Sequence, residues 1–206
     1  FARLIESSFT LGPGGLAAFF PSDVKVQRLA LKNSKEKLPA VDAVQNYLVK
    51  TGVPERVAVH CAQAADELLM NAIFDAPFNE TNQFFRRSVN RSTAFELTGQ
   101  DEVWLEFASS KKDGYAALCA MDQWGSLRRE PLLRHLRKNY QEQNYTIWRN
   151  DPGAGLGLYG MSRSGMSLLF QCDQGKGAQV SIVFPLVRSH KEYREGFQFT
   201  SFMMTK

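Results

Sequence analysis

Three short segments of this 206-residue chain carry side chains suited to chemistry. Glu67 and Asn71 are four residues apart, a spacing that places a carboxylate and an amide on one face of a helix. Asp122 ends an apolar run and is followed by Gly125, and the segment 153–158 has glycine at alternate positions. An ATP site requires these groups together: a base, a metal ligand, an acceptor for an exocyclic amine and a backbone site for phosphates.

The first segment lies in a run from 54 to 76 that is apolar at most positions, which predicts a largely buried helix. Glu67, Asn71 and Asp75 recur every four residues in it and form one stripe, with about 6 Å between neighbours at a rise of about 1.5 Å per residue. Buried carboxylates must be paired, protonated or metal-bound. The stripe therefore indicates either a bound Mg-nucleotide or a core network hydrogen-bonded to a neighbouring element.

The second segment follows residues 115–121, a run apolar enough to be a central strand. The carboxylate of Asp122 can accept a hydrogen bond from an exocyclic amine such as that of adenine. Gly125 has no Cβ, so a flat ring can approach the backbone there. The alternative is an aspartate that caps a turn, which is common where D-x-x-G stands alone.

The third segment, Gly-Ala-Gly-Leu-Gly from residue 153, is expected to open a helix. Small residues let successive N–H groups face an anion, and a helix N-terminus favours negative charge. The segment lacks the Lys-Ser/Thr ending of a Walker loop. It also follows a polar stretch rather than a strand, which disfavours a dinucleotide-binding βαβ unit.

Composition excludes several classes of function. A hydrophobic content of 44% in a chain of this length predicts one domain with a sizeable core. The net charge of +4 is spread along the chain, so no direct binding to nucleic acid is expected. Apolar runs fall short of the ~20 residues that cross a bilayer, so no membrane association is expected. The three cysteines lack metal or disulfide spacing, which predicts buried thiols and a cytoplasmic protein.

Hydrophobic periodicity predicts the elements that position these segments. Helices are expected at 34–52, 54–76 and 131–140, and strands at 24–31, 103–108, 115–121, 167–171 and 180–187. The long helices precede most of the strands. This order predicts an α+β fold, a two-layer sandwich with helices on one face of a mixed or antiparallel sheet.

Taken in order, the segments resemble the N, G1 and G2 boxes of the gyrase, heat-shock chaperone, histidine kinase and MutL ATPase superfamily, over roughly residues 24–187. The resemblance implies a Bergerat-type ATP-binding sandwich with ATP and Mg as ligands. It implies Glu67 as general base, Asn71 as Mg ligand and Asp122 as adenine acceptor. Further ATP-binding positions implied by it are Asp75, Gly125, Gly153, Gly155, Leu156, Gly157 and Leu158.

Within that superfamily, the short chain and the E-L-L-M-N-A helix are most similar to anti-sigma-factor serine kinases of the partner-switching type. This likeness implies phosphorylation of a Ser or Thr of a protein antagonist or sigma-factor-like regulator, and a possible homodimer. Two other functions stay open: a nucleotide-gated protein-binding module with little turnover, and the catalytic ATPase domain of a two-component histidine kinase. The sequence departs from the family's pattern at Trp124, inserted before Gly125, and at Ala178, where Thr is common.

These assignments divide the chain into three parts. Residues 1–23 are expected to be a linker or the end of an upstream region, because the chain begins at Phe1 like a piece of a longer protein. Residues 24–188 are expected to form the ATP-binding domain, with an insert at 78–100 and an ATP lid at 126–152. The tail, 189–206, alternates aromatic and polar residues and is expected to be an added strand, a partner-binding segment or a disordered end.

Overall fold

The computed structural model describes residues 14–79, 81, 83–134, 166–186, 191 and 200–205. Its two long helices are α1 (Lys37–Lys50) and α2 (Glu55–Met70), the latter continued by one π-helical turn, Asn71–Asp75. Its strands are β1 (Gln27–Leu31), β2 (Val103–Ser110), β3 (Tyr115–Asp122), β4 (Ser167–Asp173), β5 (Gly177–Pro185) and β6 (Thr200–Thr205). Short 3-10 turns occupy Ala17–Phe19, Ser34–Glu36 and Gly99–Asp101.

The strands form one six-stranded sheet in the order β1-β2-β3-β5-β4-β6. Every pairing is antiparallel except that of β6, which runs parallel to β4. Both helices pack on the same face of the sheet, in a core that includes Leu105, Leu118 and Phe170. The protein is therefore an α+β two-layer sandwich with helices on one face of a mixed sheet, as predicted.

The boundaries of the two helices follow from local signals. The side chain of Asn33 accepts a hydrogen bond from the backbone N–H of Lys35 at 2.9 Å, just before α1. Gly52 has a φ of +85°, so the chain can leave α1 there in a left-handed conformation. Pro54 stands immediately before α2, where its missing N–H costs no helical hydrogen bond.

The other face of the sheet is covered by residues 14–20, which lie within the stretch expected to be a linker. Leu16, Phe19 and Phe20 are buried there against strand residues that include Tyr115 and Met121. The aromatic rings of Phe20 and Tyr115 stack with centroids 5.0 Å apart. This part of the N-terminal stretch therefore belongs to the folded unit.

Hydrogen bonds from the backbone fix this segment on the sheet. The N–H groups of Gly14 and Gly15 donate to Gln179 Oε1 at 3.1 and 2.7 Å. The N–H of Leu16 donates to Glu106 Oε2 at 2.7 Å. Glu106 and Gln179 are buried, so these donors satisfy acceptors that water does not reach.

Part of the tail is an edge strand of the same sheet. The ring of Phe202 on β6 stacks on Phe170 of β4 with centroids 5.1 Å apart. Of the three expectations for the tail, residues 200–205 correspond to the added strand. Cys61, Cys119 and Cys172 are buried thiols, as their spacing predicted. No helix among the described residues is long and apolar enough to cross a membrane.

Candidate functional site

The predicted general base, Glu67, lies near the end of α2 and is partly exposed. Its carboxylate makes no hydrogen bond or ion pair with any residue in the described ranges. Burial, and then the negative charge of Asp66, raise its pKa above the usual value of 4.5, while Lys37 and Arg91 act in the opposite direction. Glu67 is thus a carboxylate with free acceptor oxygens and an increased affinity for a proton.

The predicted metal ligand, Asn71, begins the π turn that follows α2. The N–H of Ala76 donates to the carbonyl oxygen of Asn71 at 2.8 Å, which is the i to i+5 bond of that turn. The Asn71 side chain is partly exposed, and no hydrogen bond joins its amide to another described residue. An unbonded amide oxygen is a suitable ligand for Mg²⁺. The turn packs against β3, the strand that ends in Asp122.

Asp75, at the end of the same turn, has a protein partner. Its carboxylate Oδ1 lies 3.0 Å from Nη2 of Arg91, which comes from the 78–100 insert. Asp75 is buried, so the guanidinium neutralises a carboxylate that would otherwise be costly. At Asp75 the polar stripe is therefore bonded to a neighbouring element of the protein, which was one of the two interpretations of the stripe. A contact of Asp75 with ATP stays a prediction.

Asp122 caps the turn after β3 with one of its two carboxylate oxygens. Its Oδ1 accepts hydrogen bonds from the backbone N–H groups of Trp124 at 2.8 Å and Gly125 at 3.1 Å. Only this oxygen is bonded within the part of the chain that the structure describes. Asp122 pairs with Ala178 in register, on the face of the sheet that carries the helices. The position where the resembled family often has Thr is therefore directly beside the predicted adenine acceptor.

The surroundings of Asp122 destabilise the ionised form of its carboxyl group. Burial raises its pKa from 3.8 to about 6, and the two backbone N–H groups offset only part of that effect. A carboxylate whose ionised form is disfavoured by its surroundings is a candidate for function rather than for stability.

We expect Asp122→Asn to stabilise the free protein above pH 6. The unfolded pKa is near 3.8 and the folded pKa about 6, so stability falls as the pH rises through this window and the folded carboxyl ionises. Two pKa units correspond to about 3 kcal/mol; because part of the side chain stays exposed, we expect a gain of about 1–2 kcal/mol at pH 8. Urea unfolding at pH 4 and pH 8 tests this, and an equal effect at both pH values contradicts it.

Gly125 is needed by the backbone that packs on it. Its φ is +58°, and a Cβ there would lie 2.3 Å from the carbonyl oxygen of Asp173 and under 3 Å from two backbone nitrogens of the β4–β5 turn. The N–H of Gly175 donates to the Gly125 carbonyl at 3.3 Å. The missing side chain therefore lets the loop after β3 dock on the β4–β5 turn, and a contact of Gly125 with adenine stays a prediction.

The 78–100 insert connects the two described segments of the site. Trp124 is buried between Phe78 and Phe85 of the insert, with ring centroids 5.8 Å from each. Its indole Nε1 is buried and has no partner within the described residues. The residue that lengthens the family's D-x-G to D-x-x-G thus holds the insert against the loop after β3, while Arg91 holds it against Asp75.

The roles of Arg91 and Trp124 were not predicted from the sequence. The insert interleaves aromatic residues with arginines, a composition suited to cation–π packing. The guanidinium of Arg86, for example, lies 4.7 Å from the ring centroid of Phe95, and that of Arg91 lies 4.6 Å from Phe74. This interleaving was the signal available in the sequence.

The phosphate-binding part of the prediction lies outside the described residues. This applies to Gly153, Gly155, Leu156, Gly157 and Leu158. Of the expected lid, residues 126–134 are described, and 129–134 are helical. The described part has no group of three or more His, Cys, Asp or Glu side chains suited to a metal ion. A Mg²⁺ held by one amide together with substrate phosphates needs no such group.

The described side chains are chemically compatible with Mg-ATP. They provide a free carboxylate and a free amide one turn apart, an acceptor oxygen on Asp122, and buried donors without partners at Arg91 and Trp124. Unpartnered buried donors are uncommon in native proteins, and a ligand is one ordinary reason for them.

Among the solved structures that match this chain is a complex of two proteins. No protein-family model matches the chain, and no curated protein matches it. The crystal structure of the SiaB–SiaC complex from Pseudomonas aeruginosa contains a chain with which this one shares 14% identity and a TM-score of 0.44. The match covers 75% of this chain and 88% of that chain.

Proposed function

We propose that this chain is a Mg-ATP-dependent protein kinase of the anti-sigma-factor, partner-switching type, which phosphorylates a Ser or Thr of a protein antagonist. The observation that carries the proposal is the state of Glu67. It is a partly buried carboxylate with a raised pKa and free oxygens, one helical turn from an amide that is also free. A purely structural acid at this depth is normally paired.

In this proposal Glu67 accepts the proton of the attacking hydroxyl. A raised pKa brings the carboxylate closer to the operating pH, which improves a general base. Asn71 would hold the Mg²⁺, which when bound offsets the negative charge of the phosphates. Asp122 would accept the exocyclic amine of adenine on Oδ2 while its Oδ1 keeps the turn closed.

A nucleotide-gated binding module is the second candidate. One observation favours it: within the described ranges, no residue orients the Glu67 carboxylate by a hydrogen bond. Bases in efficient active sites are usually held by neighbouring groups. In such a module, ATP would order the lid and create the surface for a protein partner, and turnover would be slow.

The first test is a calorimetric titration of the purified chain with ATP, with and without Mg²⁺, beside Asp122→Asn. We expect Mg²⁺-dependent binding that the substitution weakens by about 30- to 100-fold, because an amide NH₂ replaces an acceptor facing a donor. Asp23→Asn removes the same charge at an exposed position and serves as the control. An absence of ATP binding by the wild type would refute both candidates.

A further inference from the structure

Of the charged side chains that act on Glu67, Arg91 has an N–H donor that is not used in an ion pair. The groups that act on the pKa of Glu67 are Asp66, Asp75, Lys37 and Arg91. Lys37 forms a close ion pair with Asp66, on the side of α2 next to α1. Arg91 is bonded to Asp75 through Nη2 alone, and its Nη1 is buried without a partner in the described ranges.

The position of Arg91 is fixed from two sides. Its guanidinium lies 4.6 Å from the centroid of the Phe74 ring, and Phe74 is itself buried and packed edge-on against Phe95 at 5.5 Å. Asp75 holds one edge of the same planar group. A guanidinium that is already oriented loses little freedom when it binds a ligand.

The chemistry of the spare nitrogen selects an anion. Arginine has only donors, and its planar fork binds phosphate oxygens more strongly than neutral acceptors. The Arg91 side chain is partly exposed while Nη1 itself is buried, so a phosphate reaches this nitrogen only when the groups that cover it are displaced. An ATP bound beside Glu67 and Asn71 would bring its phosphates to the unpaired carboxylate of Glu67, so a protein cation would help the Mg²⁺ to offset the negative charge.

We propose that Arg91 binds the terminal phosphate of the nucleoside triphosphate and that Asp75 is its positioning residue. The inference rests on the proposed ATP site and makes it more specific. It changes the role of Asp75 from an ATP contact to a support for the arginine. It also gives the 78–100 insert a function, since the insert carries this cation to the end of α2.

The proposal predicts a selective loss of triphosphate affinity. Arg91→Gln should weaken binding of the non-hydrolysable analogue AMP-PNP by about 10- to 100-fold, the range of a lost charge-assisted hydrogen bond. Binding of ADP should change by less than about threefold. Arg91→Lys should retain part of the affinity, and Asp75→Asn should give an intermediate loss, because the guanidinium remains but is less well oriented.

The measurement is a calorimetric titration of the full chain with each nucleotide in the presence of Mg²⁺. Arg87→Gln is the matched control, since it removes the same charge from an exposed position of the same insert. For each variant, the dissociation constant for AMP-PNP is divided by that for ADP, and this ratio is compared with the ratio for the wild type. Partial unfolding lowers both apparent affinities by the same factor and cancels in this ratio.

The outcomes separate this inference from the function on which it rests. A ratio that rises in Arg91→Gln and stays constant in Arg87→Gln supports the role of Arg91. If the wild type binds AMP-PNP and the ratio in Arg91→Gln is unchanged, Arg91 is only a structural partner of Asp75 and the inference is wrong. If the wild type binds neither nucleotide, the proposed function is wrong and the inference is overturned with it.

Discussion

Glu67→Gln should lower the rate of phosphoryl transfer from Mg-ATP by a factor of about 10²–10⁴, the usual contribution of a positioned general base. The dissociation constant for Mg-ATP should stay within about threefold of the wild type, because the amide is nearly the same size and Glu67 carries no hydrogen bond in the described structure. A loss confined to the rate is the signature of a group that acts in the transition state.

The measurement is ADP formation by the purified chain, together with transfer of labelled phosphate to a candidate antagonist protein. Glu55→Gln is the control, because Glu55 is exposed in the first turn of the same helix. Acid-stable label on the acceptor identifies phosphoserine or phosphothreonine, whereas acid-labile label indicates histidine. Equal rates for the wild type and Glu67→Gln, with tight ATP binding in both, would favour the nucleotide-gated module.

Removal of this carboxylate should also affect stability in a definite direction. Burial raises the pKa of Glu67, so the folded state disfavours its ionised form. The associated stability is present at low pH and is lost as the pH rises through the folded pKa. At neutral pH we therefore expect Glu67→Gln to be at least as stable as the wild type, and a fall in activity cannot then be attributed to unfolding.

The sequence predicted those elements whose signals are local. The strands expected at 103–108 and 115–121 are apolar runs that can be read locally, and the structure confirms both as the antiparallel pair β2 and β3. The end of α1 at Gly52 and the start of α2 after Pro54 were also expected, since these residues fix the backbone whatever surrounds them.

The elements that were not predicted depend on partners distant in sequence. Residues 14–20 show no helical or strand periodicity, and they are ordered by buried acceptors on Glu106 and Gln179. Those contacts span 90 to 165 residues. The strand β6 likewise depends on β4 for its hydrogen bonds. No local pattern specifies such pairings.

The residues of the site can likewise be divided into those predicted by a local pattern and those that depend on partners distant in sequence. The spacing of Glu67, Asn71 and Asp75 indicated a polar stripe, because helical periodicity brings these positions together. The ion pair of Asp75 with Arg91 was not predicted, since it joins the π turn to an aperiodic segment 16 residues later. The pattern D-x-x-G identified Asp122 and Gly125 but left two reasons for the glycine, close approach of a ring or close packing of the backbone.

Gly125→Ala distinguishes these two reasons. If the glycine only admits a ring, alanine should weaken nucleotide binding and leave the free protein stable. The structure instead brings the carbonyl oxygen of Asp173 to 2.3 Å from a Cβ at this position. The three atoms nearest to this Cβ all belong to the backbone, so rotation of a side chain cannot relieve the clash. We therefore expect the free energy of unfolding to fall by about 3–5 kcal/mol, from the left-handed φ and overpacking together.

Gly175→Ala is the control that isolates the conformational part of this loss. Gly175 belongs to the β4–β5 turn on which Gly125 packs and has a φ of +74°, but a Cβ there would meet nothing within 4 Å. Its substitution should cost only about 1–2 kcal/mol. Urea unfolding of both variants without nucleotide gives the comparison. Equal losses would mean that the loop after β3 yields to a Cβ, and that the glycine is present for the ligand. A larger loss in Gly125→Ala would mean that docking of this loop on the β4–β5 turn positions Asp122 before any nucleotide binds.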